Sequence, residues 1–469
     1  MMVMMMATTP SVNASTRPLP MIPPLSGRQT LREDSAQDHT VRIVRRAFAG
    51  WNSAIIWALG LQPPEVAMTS YAQTMTRDNE LGGGAAKAAV AAMIAALFAG
   101  STALTPLYVI YKQAFGFSQI MLTLVYAVYV VGNLAALLFF GRLSDAVGRR
   151  PAALAAMAVA VVSALSFLFA ENLAWLDVAR ILSGLGIGVG AGAGTAWLAE
   201  LIEGKDKSRA AVIATSTNFV GLGVGALVAG LLAQYAPWPL RLTFAVYLVL
   251  LVLVTLLIWR TQETVSEPGR FSDVSLRPRL SVPDDIRAQF VAPAVTGFGA
   301  MALVGFYAAL APSILAQQLH VTSHAEAGGL FFELSIVAAV TILATARLSS
   351  RATMLAALAL MIPAVALVVA AQVYASMALM IAATALCGVA AALGYRGGLQ
   401  VVNQIAPADR RAEVVSAFFI CCFCGNALPV IGIGILSSMA SATAASLAFA
   451  GMIIVFSLVA LGFGARYAR

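Results

Sequence analysis

The feature that most constrains this sequence is a succession of apolar runs, each about as long as a membrane is thick. A helix needs roughly 20 mostly apolar residues to cross ~30 Å of hydrocarbon. Hydrophobic residues make up 60% of the 469 and charged residues 11%, against roughly 45–50% and about 25% in soluble proteins. This balance excludes a soluble globular enzyme. We predict an all-α integral membrane protein with twelve spans, near 88–110, 120–140, 152–170, 174–199, 209–234, 242–259, 288–311, 325–345, 353–372, 376–400, 412–437 and 442–465.

Charge placement gives an independent test of this count, because a miscount by one would exchange the two sides of the membrane. The net charge of +8 indicates membrane topology here rather than nucleic-acid binding, since cytoplasmic loops collect Lys and Arg. We predict a multi-pass protein of the plasma (inner) membrane with cytoplasmic termini, although eleven or thirteen spans stay open. The opposite side holds only Lys112 and Arg241, and the predicted cytoplasmic side holds Arg142, Arg149, Arg150, Lys205, Lys207, Arg209, Arg260, Arg270, Arg277, Arg279, Arg287, Arg347, Arg351, Arg410, Arg411, Arg466 and Arg469.

Two internal matches indicate a duplicated six-helix unit. A shift of 202 residues lays Arg209 on Arg411 and Gly223 on Gly425, and a shift of 205 lays Arg142-Leu143-Ser144 on Arg347-Leu348-Ser349. Repeats of this kind are typical of transporters, whose sites lie between the two copies. We predict bundles over 85–259 and 288–469, joined by a cytoplasmic loop over 260–287.

Residues 1–84 differ in character from the rest of the chain. They are rich in Met at the start and then in Ser, Thr and Pro, so we expect a disordered extension without a packed domain. Two alternatives stay open: an interfacial helix over 47–61, and a true start at Met75 just ahead of the first span.

A short polar loop between the second and third spans carries a dense set of chemical signals. It reads Gly141-Arg142-Leu143-Ser144-Asp145-Ala146-Val147-Gly148-Arg149-Arg150-Pro151. Gly141 would permit close helix approach, and Gly148 would permit a tight turn before the next helix. Asp145 stands four residues before Arg149, a spacing that allows an ion pair. The alternative is a solvated turn that only obeys the charge rule.

This loop resembles the signature loop of the major facilitator superfamily, which lies at the same topological position. Ala146 departs from the basic residue that is usual there. The resemblance implies two pseudo-symmetric six-helix bundles that alternate access to a central site. It also implies that Gly141, Asp145, Gly148, Arg149 and Arg150 form a conformational switch, in which the carboxylate faces the eleventh helix when the cytoplasmic side is closed.

Two further segments resemble patterns of the same superfamily. The run 176–186 is similar to its fourth-helix pattern and carries Asp177 and Arg180, three residues apart. The fifth span keeps Gly221, Gly225 and Gly230 of the drug/proton antiporter pattern, with alanine at two other positions. For Asp177 and Arg180 the resemblance implies a role in proton coupling, and the alternative is an ion pair that only neutralises both charges. We predict that the three glycines are helix-packing positions, whether or not the protein is an antiporter.

Two other charges lie within apolar spans, where ionisable groups are usually functional. Glu333 is the most deeply placed acid, in the eighth span, and Arg396 interrupts the tenth span. Burial disfavours the charged form of a carboxylate, which suits a proton carrier. We regard both as coupling or substrate candidates; whether they meet stays open, as does a position of Arg396 near the cytoplasmic interface.

Other polar residues carry weaker signals. A set of amides and tyrosines could line a central cavity but fits helix packing better: Asn133, Asn218, Asn426, Tyr108, Tyr126, Tyr129, Tyr307 and Tyr395. His320 and His324 have a metal-like spacing but no second ligand cluster, so we predict no metal site. No phosphate-binding Gly-Lys-Ser/Thr loop supports ATP-driven pumping, so we expect no cofactor and a proton gradient as energy source.

These observations favour a secondary transporter of a small organic solute rather than an enzyme. We predict proton-coupled efflux by alternating access, with the lipid bilayer and the solute as its partners and no nucleic acid. Proton-coupled uptake of a sugar or organic acid is the alternative within transport. A membrane sensor or membrane enzyme is the alternative outside it. The oligomeric state is open.

Overall fold

The computed structural model describes residues 81–202, 207–269, 271–273 and 280–467. These ranges contain twelve helices that are long and apolar enough to cross a membrane, so the predicted number of spans is confirmed. The expectations for the N-terminal extension and its alternatives lie outside the described residues. The spanning helices are α1 Gly83–Thr102, α2 Gln119–Phe140, α3 Arg149–Leu168, α4 Leu173–Leu201, α5 Lys207–Tyr235, α6 Pro239–Trp259, α7 Arg287–Ala309, α8 His324–Ala344, α9 Ser350–Val373, α10 Met377–Ile405, α11 Arg411–Met439 and α12 Ala442–Tyr467.

The helices form two halves, α1–α6 and α7–α12, that repeat one another. Three pairs of helices begin 204 residues apart: Gly83 and Arg287, Leu173 and Met377, and Lys207 and Arg411. Asn172 and Ser376 cap α4 and α10 at the same separation, each accepting a hydrogen bond from the backbone N–H three residues on. The duplication therefore extends to the residues that start the helices.

Close contacts between backbones correct the register of the fifth and eleventh helices. A Cβ on Gly221 would lie 2.7 Å from Ala95 Cα in α1, and one on Gly425 would lie 2.7 Å from Phe298 Cα in α7. Gly221 and Gly425 are thus the equivalent pair, 204 residues apart. The shift of 202, which matched Arg209 to Arg411 and Gly223 to Gly425, is therefore replaced by 204, because a short sequence match is a weaker guide than the backbone contact that each glycine permits.

The two ends of the bundle differ. We call the end that carries the loops after α2, α4, α6, α8 and α10 the basic end, and the other end the outer end. At the outer end, α1 continues through the turn Thr105–Leu107 into the helix Tyr108–Phe115, and α7 is followed by the helix Ala311–Gln318. Buried apolar residues of both extensions, including Leu107, Tyr111 and Leu315, belong to one core cluster.

Contacts between the halves close the outer end. Gly230 of α5 packs against Gly328 of α8, where a Cβ added to Gly230 would lie 3.1 Å from Gly328 Cα. The backbone N–H of His324 donates to Gln234 Oε1 at 2.9 Å. A Cβ added to Gly434 of α11 would lie 2.7 Å from Thr123 Cγ2 of α2. The protein is therefore in a state in which the halves meet at the outer end.

Candidate functional site

The loop between α2 and α3 organises a cluster of charges at the basic end. The Arg149 side chain is only 10% exposed. It donates through Nη1 to Ser144 Oγ at 2.7 Å and to the Asp145 carboxylate, forming the ion pair that the four-residue spacing predicts. Its Nη2 donates to Glu200 Oε1 at 2.6 Å, and its Nε lies 3.1 Å from the same oxygen. Arg149 therefore ties the loop to the end of α4.

A second carboxylate, Glu263, holds the start of α3. Its oxygens accept hydrogen bonds from the backbone N–H groups of Arg149 at 3.0 Å and Arg150 at 2.8 Å. The N–H groups of Thr264 and Val265 donate to it at 2.9 and 3.1 Å. The first N–H groups of a helix lack partners within the helix and favour a negative charge. Glu263 thus stabilises α3 and fixes the segment after α6 beneath it.

Sequence reasoning missed both Glu200 and Glu263. The signal for them was weak: each is an acidic residue close to a basic loop, one at the end of the fourth span and one just after the sixth. Nothing in the spacing says that two carboxylates 63 positions apart converge on the same arginine, because the convergence depends on how α3, α4 and α6 pack.

The two glycines of the loop play different parts. Gly148 has φ of +102°, a conformation that side chains rarely adopt, and a Cβ there would lie 2.8 Å from Glu263 Oε2. This agrees with the tight turn predicted for it. The sequence suggested that Gly141 lies at a helix crossing, but the structure does not place it at one. It is exposed at the end of α2, and a Cβ there would approach only the Leu137 carbonyl of its own helix.

The second half has a neutral counterpart of this cluster. At the separation of 204 residues, Ser349 replaces Asp145 and Gln404 replaces Glu200. Gln404 Nε2 donates to Ser350 Oγ at 3.0 Å. Both halves therefore keep a polar link between this region and the long helix, α4 or α10. The carboxylates occur only at the positions in the first half.

Asp145 does not reach the eleventh helix in this state. Its side chain is 62% exposed, and its ion-pair partner is Arg149. Because the halves meet at the outer end here, the contact expected for a closed basic end has no reason to form. The role of Asp145 in closing that end stays a prediction.

Arg180 lies inside the first half and is 1% exposed. Its Nη1 donates to the Ser101 carbonyl at 2.7 Å, its Nη2 to Tyr108 Oη at 2.5 Å and its Nε to the Val125 carbonyl at 3.3 Å. Asp177 is half-buried and does not pair with it, so the neutralised pair that the spacing allowed is not found in the part of the chain described. The three-residue spacing places them on one side of α4, but the Arg180 side chain binds Ser101, Tyr108 and Val125 instead.

Three tyrosine rings surround the Arg180 guanidinium. Its central carbon lies 5.2 Å from the centroid of Tyr129, 5.5 Å from that of Tyr126 and 5.9 Å from that of Tyr108. Tyrosine rings attract a cation through their negative faces. The hydroxyls of Tyr126 and Tyr129 donate across to Asn426 Oδ1 of α11, at 2.7 and 2.6 Å. The structure thus brings together candidates that the sequence could only name separately.

Glu333 lies close to the middle of α8 and is half-buried. No hydrogen bond or ion pair of its carboxylate occurs among the described residues. It stands 204 residues after Tyr129, so it occupies in the second half the position that Tyr129 occupies in the first. Tyr307 Oη, which accepts a hydrogen bond from Thr384 Oγ1 at 3.1 Å, is within electrostatic range of it.

Arg396 and Glu333 do not meet. The guanidinium of Arg396 donates to the Thr345 carbonyl at 2.5 Å and to the Ala346 carbonyl at 2.7 Å. These carbonyls lie just past the end of α8, whereas Glu333 lies at its middle. A cation at a helix C-terminus is favourable because the last carbonyls lack partners. Arg396 is 6% exposed, and its guanidinium reaches the loop after α8, so it is buried at the basic end of the bundle.

The three glycines predicted to pack helices do so on two different partners. Gly221 and Gly225 lie against Ala95 and Ala99 of α1, where added Cβ atoms would fall 2.7 and 2.6 Å from the Cα atoms. Gly230 lies against α8 of the other half. The glycine pattern therefore serves both the core of the first half and the contact between halves.

The described residues form twelve spanning helices in two repeated halves, with a buried arginine inside each half and a charged loop after the second helix, which is the architecture of a membrane transporter. The family model described as Major Facilitator Superfamily matches residues 88–428. The chain belongs to the major facilitator superfamily, a family of membrane transporters. The resemblance of its signature loop is confirmed at the level of the family; no finding distinguishes the drug/proton antiporter subtype.

Named relatives share only part of their length with this chain. The MFS-type transporter paaT of Penicillium rubens is 25% identical over 167 residues, which cover 36% of this chain and 29% of that protein. An uncharacterized transporter of Schizosaccharomyces pombe is 31% identical over 122 residues, 26% of this chain and 25% of that protein. The match thus spans less than a third of either relative.

Solved structures match over much more of the chain. A bacterial homolog of the human lysosomal transporter Spinster, in an inward-facing and unoccupied conformation, has a TM-score of 0.60 at 17% identity. The match covers 81% of this chain and 95% of that one. The human organic anion transporter MFSD10 has a TM-score of 0.55 at 17% identity, with coverage of 80% and 99%. At this identity the likeness concerns the fold alone.

Proposed function

We propose that this protein is a proton-coupled exporter of a small organic solute, working by alternating access, with Glu333 as the proton-carrying group. The observation that carries the proposal is the position of the Glu333 carboxylate, halfway along α8 and without a partner among the described residues. A carboxylate in such surroundings gains and loses a proton more readily than one fixed in an ion pair, because no neighbouring cation holds its charge.

Two observations support alternating access with the basic end in the cytoplasm. The halves meet at the outer end, through the close contacts of Gly230 with Gly328 and of Gly434 with Thr123, beside the apolar cluster that includes Leu107 and Leu315. The charged cluster around Arg149 lies at the opposite end, with the Asp145 side chain largely exposed and therefore ready for a new contact. Closure of the basic end would bring that carboxylate to the N-terminus of α11.

Proton-coupled uptake of an organic acid is the second candidate. The observation that favours it is Arg180, a buried cation with no acidic partner in the described part of the chain. An acid that entered with a proton would meet both a cation and a proton carrier. Loss of growth of a deletion strain on a carbon source would favour uptake, whereas increased sensitivity to toxic compounds would favour export.

The test is transport by proteoliposomes with an imposed pH gradient and an internal pH-sensitive dye. A panel of solutes identifies those that move protons with the wild-type protein. Glu333→Gln should remove the dependence of solute flux on the pH gradient, because the amide cannot carry a proton. Glu326→Gln, an exposed acid at the first turn of the same helix, is the control and should leave it intact. Persistence of the dependence in Glu333→Gln would refute the assignment.

A further inference from the structure

A polar contact at mid-membrane joins the two halves. We call it the tyrosine–asparagine node; it consists of Tyr126, Tyr129, Arg180 and Asn426. Tyr126 Oη and Tyr129 Oη lie 2.7 and 2.6 Å from Asn426 Oδ1. Asn426 Nδ2 donates to the Met301 carbonyl at 3.2 Å, which fixes the orientation of the amide. Because an amide oxygen only accepts, both hydroxyls are donors in this contact.

The two halves contribute opposite hydrogen-bonding roles to the node. The first half supplies two hydroxyl donors and the guanidinium over which their rings lie. The second half supplies the acceptor, which is neutral. No carboxylate pairs with Arg180 in the described ranges, and the guanidinium donates to two carbonyls and the Tyr108 hydroxyl. A buried cation without a counter-charge is costly, so the pocket is better suited to an anion than to the amide it holds.

Separation of the halves at the outer end would carry Asn426 away with α11. The two hydroxyls and the cation would then face the opened cavity without an acceptor. Charge-assisted hydrogen bonds to a carboxylate are roughly twice as strong as those between neutral groups. We propose that the transported solute is an organic anion, whose carboxylate takes the place of Asn426 Oδ1 between Tyr126 and Tyr129.

This substrate class rests on the proposed function, since it requires that the halves separate, and it holds for either direction of transport. It also gives Asn426 a defined role: the residue occupies the anion pocket when the solute has left. Asn426 Oδ1 therefore competes with the solute carboxylate for the hydroxyl donors of Tyr126 and Tyr129.

The first experiment measures binding to the purified full-length protein by the shift of its thermal unfolding midpoint. The probes are matched pairs of aromatic carboxylates and carboxamides: benzoate and benzamide, naphthoate and naphthamide, and indole-3-acetate and indole-3-acetamide. Carboxylates should raise the midpoint and their amides should not. Equal effects of the two members, or no carboxylate that exceeds its amide, would overturn the proposal.

Two variants test the pocket itself. Asn426→Ala removes the internal competitor and should lower the Kd of the best carboxylate by about tenfold, which corresponds to ~1.4 kcal/mol. Tyr129→Phe removes one donor but keeps the ring over Arg180, and should raise that Kd by a similar factor. Asn133→Ala, a buried amide of α2 whose oxygen has no partner, is the matched control and should change neither. If Asn426→Ala proves unstable, Tyr129→Phe alone decides, because an unchanged Kd in that variant contradicts the proposal.

A labelling experiment separates failure of this proposal from failure of the proposed function. Thr123 is buried against Gly434 in the described state. A cysteine at Thr123, in a chain whose own cysteines are replaced, should react with an impermeant maleimide only when the outer end opens. Glu171 is exposed in the loop between α3 and α4 at the same end, so Glu171→Cys is the control that reacts in every state. No labelling at position 123 under any condition would refute alternating access, whereas labelling that carboxylates leave unchanged would refute only the anionic solute.

Discussion

At the residue scale, the geometry of single positions decides how the charged loop is built. Gly148 is the sharpest case, because its backbone conformation and its contact with Glu263 both exclude a side chain. Arg149 is the complementary case, since its side chain collects partners from the loop and from α4. The loop thus depends on Gly148, which has no side chain, and on Arg149, whose guanidinium has several hydrogen-bond donors.

Gly148→Ala should lower the stability of the protein by about 1–3 kcal/mol, since a side chain at positive φ is strained and its Cβ crowds the Glu263 carboxylate. The measurement is the thermal unfolding midpoint in detergent. Gly192→Ala is the control: it lies within α4 with no atom within 4 Å of an added Cβ, and alanine there should be neutral or stabilising by about 0.5–1 kcal/mol. Equal midpoints for Gly148→Ala and wild type would contradict the strain assigned to this position.

At the element scale, helix pairs approach through glycine where two backbones meet. The equivalent contacts of α5 on α1 and of α11 on α7 show that one packing solution is used in both halves. In a membrane, lipid is as apolar as a leucine side chain, so such close packing rather than hydrophobicity drives helices together. The small residues at these crossings are therefore part of the fold as well as of the motion.

Gly221→Ala should push α5 away from α1, because the added Cβ would lie 2.7 Å from Ala95 Cα, a backbone atom that cannot move independently. Overpacking of this kind typically costs about 1–3 kcal/mol. We expect a lower unfolding midpoint and slower transport. Gly451→Ala in α12 adds the same methyl group to open space and should change neither quantity. A Gly221→Ala protein as stable and active as that control would show that the helices adjust freely.

At the scale of the whole molecule, the two halves are alike in fold and different in charge. The loop after α2 carries a carboxylate–arginine cluster, whereas Ser349 and Gln404 replace its Asp145 and Glu200 in the second half. Arg180 lies in the first half and Glu333 in the second, at the position equivalent to Tyr129. The two halves thus share one duplicated helix arrangement and differ in the charged side chains that it carries.

Asp145→Asn should abolish transport while the protein remains in the membrane at the wild-type level. The amide keeps a hydrogen bond to Arg149 but loses the charge that would face the N-terminus of α11 when the basic end closes. Asp409→Asn, an acid at the same end with a 78% exposed side chain, serves as the comparison and should transport normally. Transport by Asp145→Asn at the wild-type rate would count against the switch.

Sequence alone determined the class of fold because the membrane imposes a length and a polarity on each helix that can be read locally. The span count, the duplication and the loop of Gly148 and Arg149 follow from such local signals. Contacts between distant segments do not follow from local signals, because they depend on which helices pack together. Examples are Glu263 beneath α3, Arg396 at the end of α8 and Asn426 between two tyrosines. Only the tertiary structure decided these, since a buried polar side chain satisfies its hydrogen bonds wherever packing supplies a partner, and no spacing along the chain encodes that choice.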